Sequence, residues 1–279
     1  MKKLLVATLA IMLVACGGES DSENESFDAP INQDLKRGTT EPAITTINET
    51  VQDGDSIALN QKFSGSVATN GDFRVSFTAA ESGLVVVKLT GNGGDLDLDV
   101  YGLSDSVDQE SVSLSSNEIV VFRATQGNDY RVRIEEWSGE ASGSYTLTIA
   151  AANRVTLGMS SNEYLTEVSG TEEETCDGRT DEESFTSYDI INPTGGYFAS
   201  LSGYRSDFTA VNGNTIQVSA SDRESGDGWS ESSSMSASIT LNPSTGSISI
   251  NSTGNYEYSE SGYSESCTYS STASGSIVL

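Results

Sequence analysis

Three aspartates at alternate positions, Asp95, Asp97 and Asp99, are the densest concentration of chemistry in this chain of 279 residues. They are interleaved with Leu96, Leu98 and Val100. An extended backbone therefore puts the three carboxylates on one face and the three apolar side chains on the other. Carboxylates this close repel one another unless a cation or strong hydrogen bonds offset the repulsion. An all-oxygen set suits Ca²⁺. An EF-hand loop is excluded, because Val100 stands where that loop needs Gly and Ser106 where it needs Glu. The alternative gives each carboxylate a structural place: Asp95 caps the glycine turn before it, Asp97 bonds to backbone and Asp99 faces water. A second candidate is Trp229, in the polar loop Gly226-Asp227-Gly228-Trp229-Ser230. There an indole beside carboxylates stacks on a sugar ring or anchors a protein partner. The acidic segments from Glu172 to Glu183 and from Asp222 to Glu231 read as hairpin tips, either solvated or weakly cation-binding.

Composition removes whole classes of activity. The chain has no His, and its 14 Lys+Arg face 41 Asp+Glu for a net charge of -27. A Ser-His-Asp triad, a Cys-His pair and an imidazole zinc site are therefore excluded. So few cations cannot neutralise phosphates, so nucleic acid is not expected as a partner. Any enzymatic reading must rest on carboxylates, as in a glycosidase pair. Nothing singles out two of them, and neither Asp-Thr-Gly, Asp-Ser-Gly nor Ser-x-x-Lys occurs.

The N-terminus carries an address. Lys2 and Lys3 precede an apolar run from Leu4 to Ala15, too short to span a membrane as a helix and suited to a secretory signal. It ends in Leu13-Val14-Ala15-Cys16, which resembles the lipobox of bacterial lipoproteins, with an ordinary signal peptide as the alternative. The resemblance implies cleavage after residue 15, acylation of Cys16 and a lipid bilayer as partner. Each buried methylene of the acyl chains contributes roughly 0.8 kcal/mol to the anchor. Gly17 in place of Asp implies the outer membrane. With Cys16 assigned to lipid, Cys176 and Cys267 are left as a pair. In an oxidising compartment they are expected to form a disulfide rather than two free thiols.

Residues 16–50 are acidic and without apolar periodicity, as expected of a disordered tether. From residue 51 the texture changes. Phe73 to Phe77, Tyr130 to Ile134 and Tyr145 to Ile149 alternate apolar and polar, whereas Leu84 to Leu89 and Ile119 to Phe122 are continuously apolar. The first pattern marks half-buried strands and the second inner ones. Asn70-Gly71-Asp72, Gly91-Asn92-Gly93-Gly94 and Gln126-Gly127-Asn128-Asp129 separate them as turns. The fold class expected is all-β, a jelly-roll-like β-sandwich over residues 51–151.

Three stretches of this region resemble the bacterial pre-peptidase C-terminal domain. They are Phe63-Ser64-Gly65-Ser66-Val67 with Gly71 to Phe77, Gly94-Asp95-Leu96-Asp97-Leu98-Asp99-Val100, and Tyr130 to Ile134 followed by Trp137-Ser138-Gly139 and Gly143 to Ile149. The resemblance covers residues 52–150. It implies a non-catalytic sandwich, usually appended to secreted hydrolases, some members of which bind calcium or polymers such as collagen. It also implies that Trp137 packs over the sandwich edge. The family's acidic opening segment is blurred here, as Asn48 to Asp55, so no calcium ligands carry over from it.

Residues 152–279 form a second expected domain. Met235, Ala237, Ile239 and Leu241 alternate with Ser and Thr, the loop Asn242-Pro243-Ser244-Thr245-Gly246 turns the chain back, and Asn212-Gly213-Asn214 makes another hairpin turn. Consecutive hairpins predict an antiparallel meander, either a small barrel or a sandwich, vaguely like lipocalin meanders. A Cys176–Cys267 bridge would tie its first strands to its last. The functional expectation is a non-catalytic, lipid-anchored envelope protein that binds a polymer or an envelope protein, with Ca²⁺ stiffening the first domain. The alternatives are a carboxylate-dependent hydrolase and an accessory subunit of an envelope assembly.

Overall fold

In a computed structural model of the chain, the described residues are 43–279 except 94, 112–115, 138, 140–141, 193–195, 202–204, 208–209, 213–214, 227–228, 243 and 261–262. The expected signal peptide, Cys16 and most of the expected tether lie outside them. The chain divides into two compact units, one over Gly38–Ser160 and the other over Ser161–Ser200 and Tyr204–Leu279.

The first unit contains β1 (Thr45–Thr46), β2 (Gln61–Val67), β3 (Asp72–Thr78), β4 (Gly83–Asn92), β5 (Leu96–Gly102), β6 (Asp108–Ser111), β7 (Asn117–Ala124), β8 (Asp129–Glu136) and β9 (Gly143–Ala151). They form two sheets, ordered β1-β2-β9-β4-β7 and β3-β8-β5-β6. The alternating stretches become β3, β8 and β9, each with one face in the core. Phe63, Val87, Leu89, Leu147 and Ile149 from one sheet share a buried cluster with Phe77, Leu98, Tyr130, Val132 and Ile134 from the other. This is a β-sandwich. Burying each such side chain contributes roughly 1.5–3 kcal/mol. The continuous apolar runs become β4 and β7, where Val86 faces Val121 and Ala150 in a second buried row. Tyr130 stacks on Phe77 with centroids 5.4 Å apart and meets Phe122 at 5.0 Å. Its hydroxyl donates to Asp105 Oδ2 at 2.6 Å and accepts from the Thr125 N–H at 2.8 Å, so this buried phenol is satisfied.

Two boundaries differ from the sequence reading. β1 lies inside the expected tether of residues 16–50, pairing in parallel with β2, and Ile47 packs on the core. One apolar residue in a polar segment is enough to dock it when an edge strand offers free backbone groups. The first unit also continues past residue 151. Asn153 Oδ1 accepts from the N–H groups of Val155 and Thr156 at 2.8 and 2.9 Å, closing a turn that buries Leu157.

The second unit is one antiparallel sheet. Its strands are β10 (Tyr164–Cys176), β11 (Arg179–Asn192), β12 (Tyr197–Ser200), β13 (Arg205–Asp207), β14 (Ala210–Asn212), β15 (Thr215–Gly226), β16 (Trp229–Asn242), β17 (Ser247–Glu260) and β18 (Tyr263–Ile277). Their order is β13-β12-β11-β10-β18-β17-β16-β15-β14, the circular order of an up-and-down barrel opened between β13 and β14 among the described residues. The first long strand pairs with the last, and Cys176 stands opposite Cys267 in that register and is joined to it by a disulfide.

Along β18 exposure alternates without a break. Cys267, Tyr269, Ala273 and Ile277 are buried, while the even-numbered residues from Ser264 to Ser276, all Ser or Thr, are exposed. Val168, Ile191, Ile216, Ile239, Leu241, Ile248 and Ile277 form the apolar cluster. Gly170 and Gly275 let β10 and β18 approach there. A Cβ at Gly275 would collide with the carbonyl oxygen of Glu167, and one at Gly170 with that of Thr272.

Candidate functional site

Asp97 and Asp99 project from the outer face of the β3-β8-β5-β6 sheet, because Leu96, Leu98 and Val100 take the core positions of β5. Cross-strand register sets their neighbours. Asp97 stands beside Glu135, which faces Asp72, while Asp99 lies between Arg133 and Glu110. Arg133 is the hub of this face. It pairs with Glu135, with Asp99 at 3.3 Å and with Asp72 at 3.6 Å, and Asp72 also pairs with Arg74. Asp99 is therefore engaged by a cation on its own sheet and does not simply face water.

Burial raises the pKa of both carboxyls, Asp97 and Asp99, but only Asp99 has the charge of Arg133 opposing the rise. Burial takes Asp97 to about 7, reinforced by the charges of Asp95, Glu118, Asp99 and Glu135. Asp95 has a buried Oδ1 without a hydrogen-bond partner, and its backbone carbonyl accepts from the Trp137 N–H at 3.0 Å. Glu118 reaches this corner from β7. It is fully buried and accepts a short hydrogen bond from the Ser111 hydroxyl. The three sequence candidates thus share a face but not a role. Asp95 and Asp97 keep capacity for a cation, which their mutual repulsion favours, and Asp99 is committed to Arg133.

Trp137 is placed differently from the expectation. It is 71% exposed rather than packed over the edge. The cause is the residue before it. Glu136 takes the inward position at the end of β8, where its carboxylate accepts from the N–H groups of Asn70 at 2.8 Å and Gly139 at 3.1 Å. Alternation then turns Trp137 outward.

Trp229 also differs. The sequence puts it in a polar loop, whereas it opens β16, pairs with Gly226 and is half-buried, with its indole lying over that glycine. The acidic segments read as tips are mostly strand. β10 and β11 run to Cys176 and from Arg179, and β15 and β16 run to Gly226 and from Trp229. Ser, Thr and Glu at alternate positions look like loop composition, yet each residue is paired across the sheet.

At this end of the second unit a cleft of about 360 Å³ opens, lined by Asp177, Arg223, serines of β16–β18, Glu231, Glu257, Glu265 and Tyr258. The carboxyls pushed up toward neutrality lie elsewhere. Glu172 rises to about 7 through burial and the charges of Glu174 and Glu183. Asp189 rises to about 7 because it is fully buried, with only the Ser187 hydroxyl at 2.9 Å opposing. Among the described residues, Glu174, Cys176 and Cys267 are the group of three that gathers within 4.8 Å. The disulfide consumes both sulfurs, so this group is not a metal centre.

Sequence reasoning missed Glu118, Arg133, Asp189 and the cleft. Glu118 and Asp189 carry a legible signal, a lone acid abutting the apolar runs Ile119-Val120-Val121-Phe122 and Ile190-Ile191. Arg133 and the cleft depend on register and carry none.

No family model matches the chain, and neither does any curated protein. Among solved structures, it is similar to one described as the pre-peptidase C-terminal domain of a collagenase from Bacillus anthracis, at 15% identity and a TM-score of 0.31, over 37% of this chain and 99% of that one.

Proposed function

We propose that this chain is a non-catalytic binding module of the cell envelope, held at the outer membrane by acylated Cys16, whose ligand is a polymer or another envelope protein. The observation that carries this reading is a separation. A hydrolase working through carboxylates needs an acid poised near neutrality inside a cleft. Here the carboxyls raised to about 7, Asp97, Glu172 and Asp189, do not line the cleft, nor do Asp99 and Glu110, which burial also raises. Trp137, exposed at the end of a rigid strand, adds an aromatic contact of the kind binding surfaces use. The stretches resembling pre-peptidase C-terminal domains supply β2, β3, β5, β8 and β9 of the sandwich, in keeping with a non-catalytic role. A Ca²⁺ ion held by Asp95 and Asp97 would relieve their repulsion and stiffen β5.

A hydrolase is the second reading, favoured only by Asp97 near neutrality beside Asp99. A single experiment separates the two. The full chain in detergent is sedimented with peptidoglycan, chitin or fibrillar collagen, and soluble fragments are assayed. Retention by a polymer without fragments, weakened at least tenfold by Trp137→Ala, is the expected result. Fragments that disappear with Asp97→Asn would establish the hydrolase instead. Cys16→Ser should move the protein from membranes to the soluble fraction, and continued membrane association would refute the anchor.

A further inference from the structure

We propose that the second unit docks an extended basic segment of a partner protein at its disulfide end. The segment adds as a strand along the free edge of β11 and lays its Lys or Arg side chains over the sheet face that carries the apolar cluster. This rests on the binding-module reading and names the chemistry of its protein ligand.

Register assigns the side chains to this face. Along β18 from Ala273, a member of the apolar cluster, Ser271, Tyr269, Cys267, Glu265 and Tyr263 take alternate positions and share its side. Opposite Ser271, Tyr269 and Cys267 stand Glu172, Glu174 and Cys176 of β10. Opposite Cys267 and Glu265 stand Tyr256 and Tyr258 of β17, and Glu231 of β16 stands opposite Tyr258. Toward the edge the rows end on β11 in Glu183, Asp181 and Arg179, opposite Glu172, Glu174 and Cys176. One face therefore passes from Val, Ile and Leu at one end to Glu and Tyr at the other. Glu257, an odd-numbered neighbour of Tyr256 and Tyr258, is exposed on the opposite face.

The chemistry of the face selects a cation. Rings and carboxylates interleave: Glu231 and Glu265 add to burial in raising the Tyr256 phenol, and Glu174 does the same for Tyr269. The rings of Tyr258 and Tyr263 lie 6.1 Å apart, and Tyr263 is 53% exposed. Carboxylates hold ammonium and guanidinium groups by charge-assisted hydrogen bonds, and tyrosine faces attract them through the ring quadrupole. Arg179 is the only Lys or Arg in β10, β11, β16, β17 and β18, so the complementary charge must come from outside. A small metal ion needs converging oxygens, and among the described residues these carboxylates do not gather as a group of three. A second copy would bring the same acids, on a chain of net charge -27. The backbone favours an extended occupant. β12 pairs with β11 only from Asp189 to Asn192, so among the described residues Arg179 to Ser187 have no strand on their outer side. A strand added there turns every second side chain onto the face. The surface is preorganised, because the Cys176–Cys267 disulfide locks β10 to β18 within it.

The test titrates the full chain in detergent, at physiological ionic strength, with a labelled peptide alternating Lys and Thr. Its Glu-Thr counterpart, a peptide of the same Lys-Thr composition with the lysines in one block, and spermine are the controls. The alternating peptide should bind, and each control should bind at least tenfold more weakly. Amides of alternate residues point to opposite sides of a strand. N-methylation at all lysines or at all threonines should therefore abolish binding in one case and spare it in the other. The double change Glu231→Gln and Glu265→Gln should weaken binding at least tenfold and Tyr263→Ala at least threefold. Glu257→Gln, on the opposite face, should change it less than twofold. Peptide mapping of the disulfide and a melting curve verify that each variant is folded. No binding of the alternating peptide, equal binding of any control, or an equal response to the two N-methylations would each overturn the docking surface. A loss with Glu257→Gln as large as with the double change would reduce the binding to net charge and overturn it as well. Polymer retention that depends on Trp137 without any peptide binding would leave the binding module standing and remove this surface from it. Loss of both retention and peptide binding would remove both.

Discussion

Asp189 is a carboxyl buried in the second unit. It shares a strand face with Phe185 and Ile191 of the apolar cluster and is 2% exposed. Burial raises its pKa from 3.8 to about 7. The folded state therefore holds a proton that the unfolded chain has released, and stability falls as pH rises from about 4 to 7. A shift of this size corresponds to about 4 kcal/mol. Asp189→Asn keeps an acceptor for Ser187 and removes the ionisation. It should raise the melting temperature at pH 8 by several degrees and leave it nearly unchanged at pH 4. Equal shifts at both pH values would mean that the carboxyl is not buried. Asp97 carries the same sign on an open sheet face, where solvent screens it. The two carboxyls differ in how far the chain announced them. Asp97 is marked by its alternation with Leu96 and Leu98, whereas for Asp189 the sequence offers only the adjoining Ile190-Ile191, and its full burial is set by packing in the folded sheet.

At the level of strands, the second unit depends on the pairing of β10 with β18. These strands lie at opposite ends of its sequence, and 91 residues separate the bridged cysteines. Closing a loop of that length removes about 4–5 kcal/mol of unfolded-chain entropy by the loop model. Reduction should therefore lower the melting temperature of the second unit by several degrees. The sandwich should be unaffected, since the remaining cysteine, Cys16, precedes it. A melt unchanged by reductant would show that backbone pairing and the Gly170 and Gly275 contacts alone hold the strands together. Strand lengths were legible only where apolar residues marked them. Met235 to Leu241 is so marked, but Trp229 to Glu231 reads as the end of a polar loop although it belongs to the same strand. A polar strand is held by its neighbours' backbone, which leaves no periodic hydrophobic signal.

For the molecule as a whole, a net charge of -27 opposes compaction by self-repulsion and leaves every carboxylate cluster open to counter-ions. General screening and a specific site are separable. At fixed ionic strength, Ca²⁺ should raise the melting temperature of the full chain more than Mg²⁺ does, and Asp95→Asn should abolish the difference. Equal effects of the two ions would mean screening only, and Asp95 and Asp97 would then be structural. Asp99 should contribute less to such an effect, because Arg133 stands 3.3 Å from it and opposes the rise that burial imposes on its pKa.

Alternation, turn residues and cysteine count were enough to read an all-β chain, a sandwich core and a paired Cys176 and Cys267, because these follow from side-chain periodicity and stoichiometry within short windows. The lipobox-like Leu13 to Cys16 is equally local. The roles of Asp95, Asp97 and Asp99, the outward turn of Trp137, the half-burial of Trp229 and the cleft beside Tyr258 came from elsewhere. Each depends on which residue of another strand lies opposite, and register between strands distant in sequence is fixed by packing the whole sheet at once. Arg133 makes the point for the sandwich, since nothing within β8 indicates that it meets Asp72 on one side and Asp99 on the other.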